Sequence, residues 1–175
     1  MRRLALGLTL ASFACGGSNI STPDVQNFNA LVAGVSTAVS TYGAQAQAAN
    51  DIAGCNSAEA SYDAKVRPMI EQMQNMAGPL DQYMQSNGRM ADGDMGCSTA
   101  GMLAELDYHQ GMACTSSANA NQSEAQRDVN NMNGWTTHLQ GRVGEMNTMM
   151  SGGMMGGPGQ MAACVHEADG GYAVP

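Results

Sequence analysis

The sequence predicts an all-α fold: an up-down-up-down four-helix bundle with two disulfides and an irregular Gly/Met-rich C-terminal tail. Apolar residues recur at three- and four-residue spacing in four segments between residues 22 and 150. No stretch alternates apolar and polar residues with period two, and most connections between the segments are short, as antiparallel neighbours require. With 175 residues the chain is long enough for one domain with a real core, and no composition break divides it.

The first helix opens at Thr22-Pro23-Asp24, which supplies an N-cap, a proline at the first helical position and an acid in the first turn. Phe28, Leu31, Val32, Val35, Val39, Tyr42, Ala46, Ala49 and Ile52 carry it to about Ala53, where Gly54 ends it. Asn56-Ser57-Ala58-Glu59 resembles a capping box, and the second stripe runs Tyr62, Val66, Met69, Ile70, Met73, Met76, Ala77, Leu80, Met84. Pro68 should kink this helix, and Gly78-Pro79 should break or restart it, because neither proline donates a backbone hydrogen bond. Residues from Asn87-Gly88 to Gly96 read as a Gly- and Asp-rich loop.

A third helix from Ser98 to about Thr115 is framed by Cys97 and Cys114. With Leu106 at the centre of its helical wheel, Thr99, Met102, Leu103, Gln110 and Ala113 form the core-facing stripe, while Glu105, His109 and Met112 share one shoulder. A polar connection leads to Ser123-Glu124-Ala125-Gln126, a capping box opening the fourth helix, whose stripe is Met132, Trp135, Leu139, Val143, Met146 and Met150. His138 falls beside that stripe and is expected to be half exposed. Gly134, Gly141 and Gly144 each cost up to about 1 kcal/mol unless a neighbouring helix uses the missing side chain for close approach. The Gly-rich tail beyond Ser151 should be irregular and mobile.

Residues 1–14 read as a signal peptide: Arg2 and Arg3 precede an apolar run, Leu4 to Ala11, too short to span a bilayer. Ser12-Phe13-Ala14-Cys15 resembles the lipobox of bacterial lipoproteins. The resemblance implies that Cys15 becomes the acylated first residue, with residues 15–21 as a lipidated tether, 22–150 as the bundle and 151–175 as the tail. It also implies a place in the cell envelope, held to a bacterial membrane through the lipid anchor. Ordinary cleavage after Ala14, leaving Cys15 as an N-terminal thiol, is the alternative. Removing Arg2 and Arg3 changes the formal charge from -8 to -10, five bases against fifteen acids. No basic patch remains to displace counterions from a phosphate backbone, so no nucleic-acid partner is expected.

Four cysteines follow Cys15, an even number that favours two disulfides in an oxidising compartment. Cys97 and Cys114, if on one helix, stand about 25 Å apart, too far to bridge. Up-down topology then favours Cys55 with Cys114 and Cys97 with Cys164. No Cys-x-x-Cys spacing argues for a thiolate metal site.

Met146, Met149, Met150, Met154, Met155 and Met161 crowd the end of the fourth helix and the tail. Thioethers are soft donors suited to Cu(I) or Ag(I), and Met146-x-x-Met149-Met150 resembles the Met-x-x-Met clusters of bacterial periplasmic copper-handling proteins. His109 and Met112 are further candidate ligands, completed by a neighbouring helix, for instance through Met132. Against this, His109 with Glu105 four residues earlier is an ordinary polar pair along a helix, and Met69, Met73 and Met76 lie in the core stripe as packing. The chain has no Gly-rich phosphate loop, no Gly-x-Ser-x-Gly and no His-Glu-x-x-His, so an enzyme is not expected. The sequence therefore leads to a binding role, with Cu(I) or Ag(I) the most concrete ligand. Its rival is a structural or protein-interaction lipoprotein whose methionines only pack.

Overall fold

The computed structural model describes residues 20–87, 93–112, 114, 117–152, 165–166 and 172–173. Four helices dominate it: α1 (Thr22–Ala48), α2 (Ile52–Ser86), α3 (Asp94–Met112) and α4 (Ala118–Met150). A two-residue antiparallel ladder joins β1 (Val165–His166) to β2 (Tyr172–Ala173), and β2 lies against α3. This corrects the expectation of a wholly irregular tail. A two-residue ladder has no period for the sequence to display.

The caps set boundaries that the periodicity alone misplaced. Ser21, one residue before the expected cap, starts α1, and Asp24 reaches back to accept from the Ser21 amide at 2.9 Å. α1 does not run on to Ala53. It ends at Ala48, and Asp51 starts α2 by accepting from the Gly54 amide at 2.7 Å, so Gly54 opens a helix instead of closing one. α2 continues through Pro68 and Pro79. Burial of Val66, Ile70, Met73, Ala77, Leu80 and Met84 offsets the backbone bonds those prolines omit. Ser117 caps α4 through the Ala120 amide, several residues before the expected start.

α1 packs on α2 and α4, and α3 packs on the same two helices. Contacts fix the directions. Asn27 meets Met76 while Tyr42 meets Glu59; Gln47 meets Gln122 while Thr22 meets Met150. Asp81 meets Met95 while Arg67 meets Asp107, and Asp94 meets His138 while Glu105 meets Asn131. In each pair the two helices run in opposite senses. Phe28, Tyr42, Ile70, Leu106, Met132, Trp135 and Leu139 fill one core shared by all four helices. Two glycines of α1 allow close approach of neighbouring helices: a Cβ at Gly34 would stand 2.8 Å from the Met69 sulfur, and one at Gly43 would stand 3.2 Å from Val129. Gly144 on α4 meets open space.

The disulfide Cys55–Cys114 joins two described residues, with Cα atoms 5.6 Å apart across 59 residues. It ties the first turn of α2 to the segment leaving α3. The expected Cys97–Cys164 bridge falls on Cys164, outside the described residues.

Candidate functional site

Polar side chains from all four helices converge next to that disulfide. α1 contributes Tyr42, α2 contributes Glu59 and Tyr62, α3 contributes His109, and α4 contributes Asp128. Tyr42 and Tyr62 occupy core-stripe positions of their helices and stack with ring centroids 4.2 Å apart. The Tyr42 hydroxyl donates to the Glu59 carboxylate and lies 2.5 Å from His109 Nε2. His109 Nε2 is also 3.0 Å from Glu59 Oε1. With its proton given to Glu59, the Tyr42 oxygen accepts from His109, which places a proton on Nε2.

These contacts bias protonation. Burial disfavours the imidazolium of His109, but the hydrogen bond that its Nε2 donates to Glu59 and the charges of Asp128, Glu59 and Glu124 outweigh it and raise its pKa above the usual 6.5. Burial, then Glu59, pushes the Tyr42 phenol up, and burial with Asp128 does the same to Tyr62. Both phenols therefore stay neutral. Asp128 is fully buried, and burial raises its carboxyl to about 7, opposed by His109 and reinforced by Glu105.

Hydrogen bonding here is incomplete. Among the described residues the buried side-chain atoms without a partner are the Tyr62 hydroxyl, His109 Nδ1 and both Asp128 oxygens. The Tyr62 hydroxyl neighbours Asp128 without completing hydrogen-bond geometry. Nearby, the sulfurs of Cys55 and Cys114 and a Glu59 oxygen lie within 4.8 Å of one another. Bonded to each other, the two sulfurs are not thiolates and do not offer a metal their charge.

Several sequence expectations change at this point. His109 does not pair with Glu105; it is 1% exposed and turned to Tyr42 and Glu59. Glu105 instead binds Asn131 at 3.1 Å and Arg127 at 3.3 Å. The stripe of α3 is centred on Met102, Leu106 and His109, so Gln110 is exposed and Leu103 only half-buried. Met69 lies against Gly34 and Met76 meets Asn27, both on α1.

Of the candidate soft-metal ligands, Met146 is sealed in the core, and Met149 and Met150 are half-buried against it. The Met150 sulfur lies 3.9 Å from the Thr22 hydroxyl. Met132 is core packing. Cys15, Met154, Met155 and Met161 lie outside the described residues, as does the side chain of Met112.

Sequence reasoning missed a second polar centre at the opposite end of α3. Asp94, placed in a loop by the sequence, accepts from His138 Nε2 at 2.8 Å and from Arg142 Nε at 2.7 Å. His138 is accordingly buried and not half exposed. Asp81 of α2 accepts from the Met95 and Gly96 amides at 2.9 and 3.0 Å, capping α3 from another helix. Burial raises its pKa even though those two amides lower it. The only sequence signal was an acid in each of two unremarkable positions.

No family model, curated protein or solved structure matches this chain.

Proposed function

We propose that this chain is an exported, lipid-anchored up-down-up-down four-helix bundle with a binding or structural role in the bacterial cell envelope, and not an enzyme. The Cys55–Cys114 bridge carries the reading, because a disulfide between two helical hairpins persists in oxidising compartments and is rare in reducing ones. The opposed helix directions support the topology. Among the described residues no helix is long and apolar enough to cross a membrane; in this reading the lipid on Cys15 supplies membrane retention. The groups best suited to acid–base chemistry, His109 and Asp128, are 1% and 0% exposed, which supports a non-catalytic role. Replacing Cys15 with Ser should release the protein from the membrane fraction. Unchanged association would refute the anchor, and free thiols at Cys55 and Cys114 in the isolated protein would refute the compartment.

Soft-metal binding is the second reading. Its support is that Met149 and Met150 stay partly exposed where α4 ends and Met154, Met155 and Met161 follow in the sequence. His109 Nε2 is committed to Tyr42 and Glu59, which leaves only the buried Nδ1 for a metal, so the methionines carry most of this reading. Anaerobic Cu(I) titration of wild type and of a variant with Leu at 149, 150, 154 and 155 separates ligation from packing, since that change keeps volume and deletes sulfur. Equal uptake excludes these sulfurs, and no uptake by wild type leaves the structural lipoprotein.

A further inference from the structure

Among the described residues Asp128 forms no direct ion pair: the charge of His109 lowers its pKa, but burial outweighs it. His109 faces Glu59 at 3.0 Å, and Arg127 faces Glu124 at 2.7 Å and Glu105 at 3.3 Å. Both cations of the cluster are thus matched by carboxylates. Around Asp128 stand the Tyr42 hydroxyl of α1, Tyr62 and Glu59 of α2, His109 and Glu105 of α3, and Glu124 one turn earlier on α4. Neither Asp128 oxygen accepts a hydrogen bond, and its residue is 0% exposed.

We propose that Asp128 is a proton switch built into the core, carried as the neutral acid in the folded protein, whose ionisation unseats the surrounding turn of α4 from α1 and α3. A carboxylate whose burial outweighs the stabilising charge of His109 is disfavoured as the anion, and protonation removes that charge. Ionisation would add another negative charge beside Glu59, Glu105 and Glu124. Movement of the turn toward water relieves both burdens. The flanking α4 residues Ala125 and Met132 are buried, so opening there exposes apolar surface and is read as lost stability.

The direction of the pH effect follows from the raised carboxyl. Between the ordinary value of 3.8 and about 7, folded Asp128 keeps a proton that the unfolded chain has released, so stability falls as pH rises through that window. His109, raised above 6.5, acts in the same direction above that pH, and Asp81, raised from 3.8, does so at the other end of the molecule. Asp24, lowered from 3.8, opposes them only at lower pH.

Urea unfolding of the full exported protein from pH 5 to 8 tests the switch. The unfolding constant of wild type should rise by about tenfold per pH unit between pH 5 and 7, the slope of one proton. Asp128→Asn, a neutral isostere, should flatten that slope and outlast wild type at pH 8. A slope unchanged in the variant would assign it to His109 or Asp81 and overturn the proposal, as would a flat wild-type profile. Should the variant fail to fold, the carboxyl-carbon NMR titration of Asp128 in wild type still decides. A midpoint near 7 supports the switch, and one near 4 refutes it.

Discussion

The two ends of α3 solve the same problem differently. Near Gly93 each buried charge among the described residues meets a partner: Asp94 holds His138 and Arg142, Arg142 also reaches Glu145 at 3.0 Å, and Asp81 spends both oxygens on backbone amides. Near Cys114 the His109, Glu59 and Tyr42 triangle is closed, but Tyr62, His109 Nδ1 and Asp128 retain unused hydrogen-bonding atoms. A disulfide sits at the incomplete end. The covalent bond there does not depend on protonation, so it can hold the helices together while polar contacts beside it change.

The largest effect should come from breaking the complete end. Asp94→Ala strands His138 and Arg142, 4% and 5% exposed, without their shared acceptor. A loss of about 3–5 kcal/mol is expected in urea unfolding; a loss under 1 kcal/mol would mean that the two ends do not differ. Replacing Cys55 and Cys114 together with Ser should cost about 2–4 kcal/mol, because the unfolded chain regains the freedom of a long loop. Calorimetry with and without the bridge measures it, and a negligible loss would remove the disulfide's compensating role.

Asp81→Ala should cost about 1–2 kcal/mol, visible as faster amide exchange at Met95 and Gly96, whose N–H groups lose their acceptor. The smallest effect belongs to Tyr42→Phe. Its hydroxyl touches Glu59 and His109, yet those two still meet at 3.0 Å, so about 0.5–1.5 kcal/mol is expected from denaturant midpoints. A larger loss than that of Asp94→Ala would reverse the comparison.

Much of this was legible in the sequence and some was not. The stripes from Phe28 to Ala46 and from Tyr62 to Met84 predicted the buried faces of α1 and α2, because a residue's place on a helix depends only on local spacing. The pairing of Cys55 with Cys114 followed from helix length and chain direction. His109, by contrast, was assigned the partner nearest in sequence, and the structure gave it partners 50 and 67 residues away.

The sequence by itself determined the four helices among the described residues, their apolar faces and the Cys55–Cys114 disulfide, since periodicity, helix-favouring stripes and the fixed rise per residue are local properties. Tertiary structure alone decided where α3 starts, since its cap comes from Asp81 on another helix. It also decided which end of the interior is fully paired, because at close range a buried charge is matched by whatever group the neighbouring helix presents, and cross-helix register sets that group.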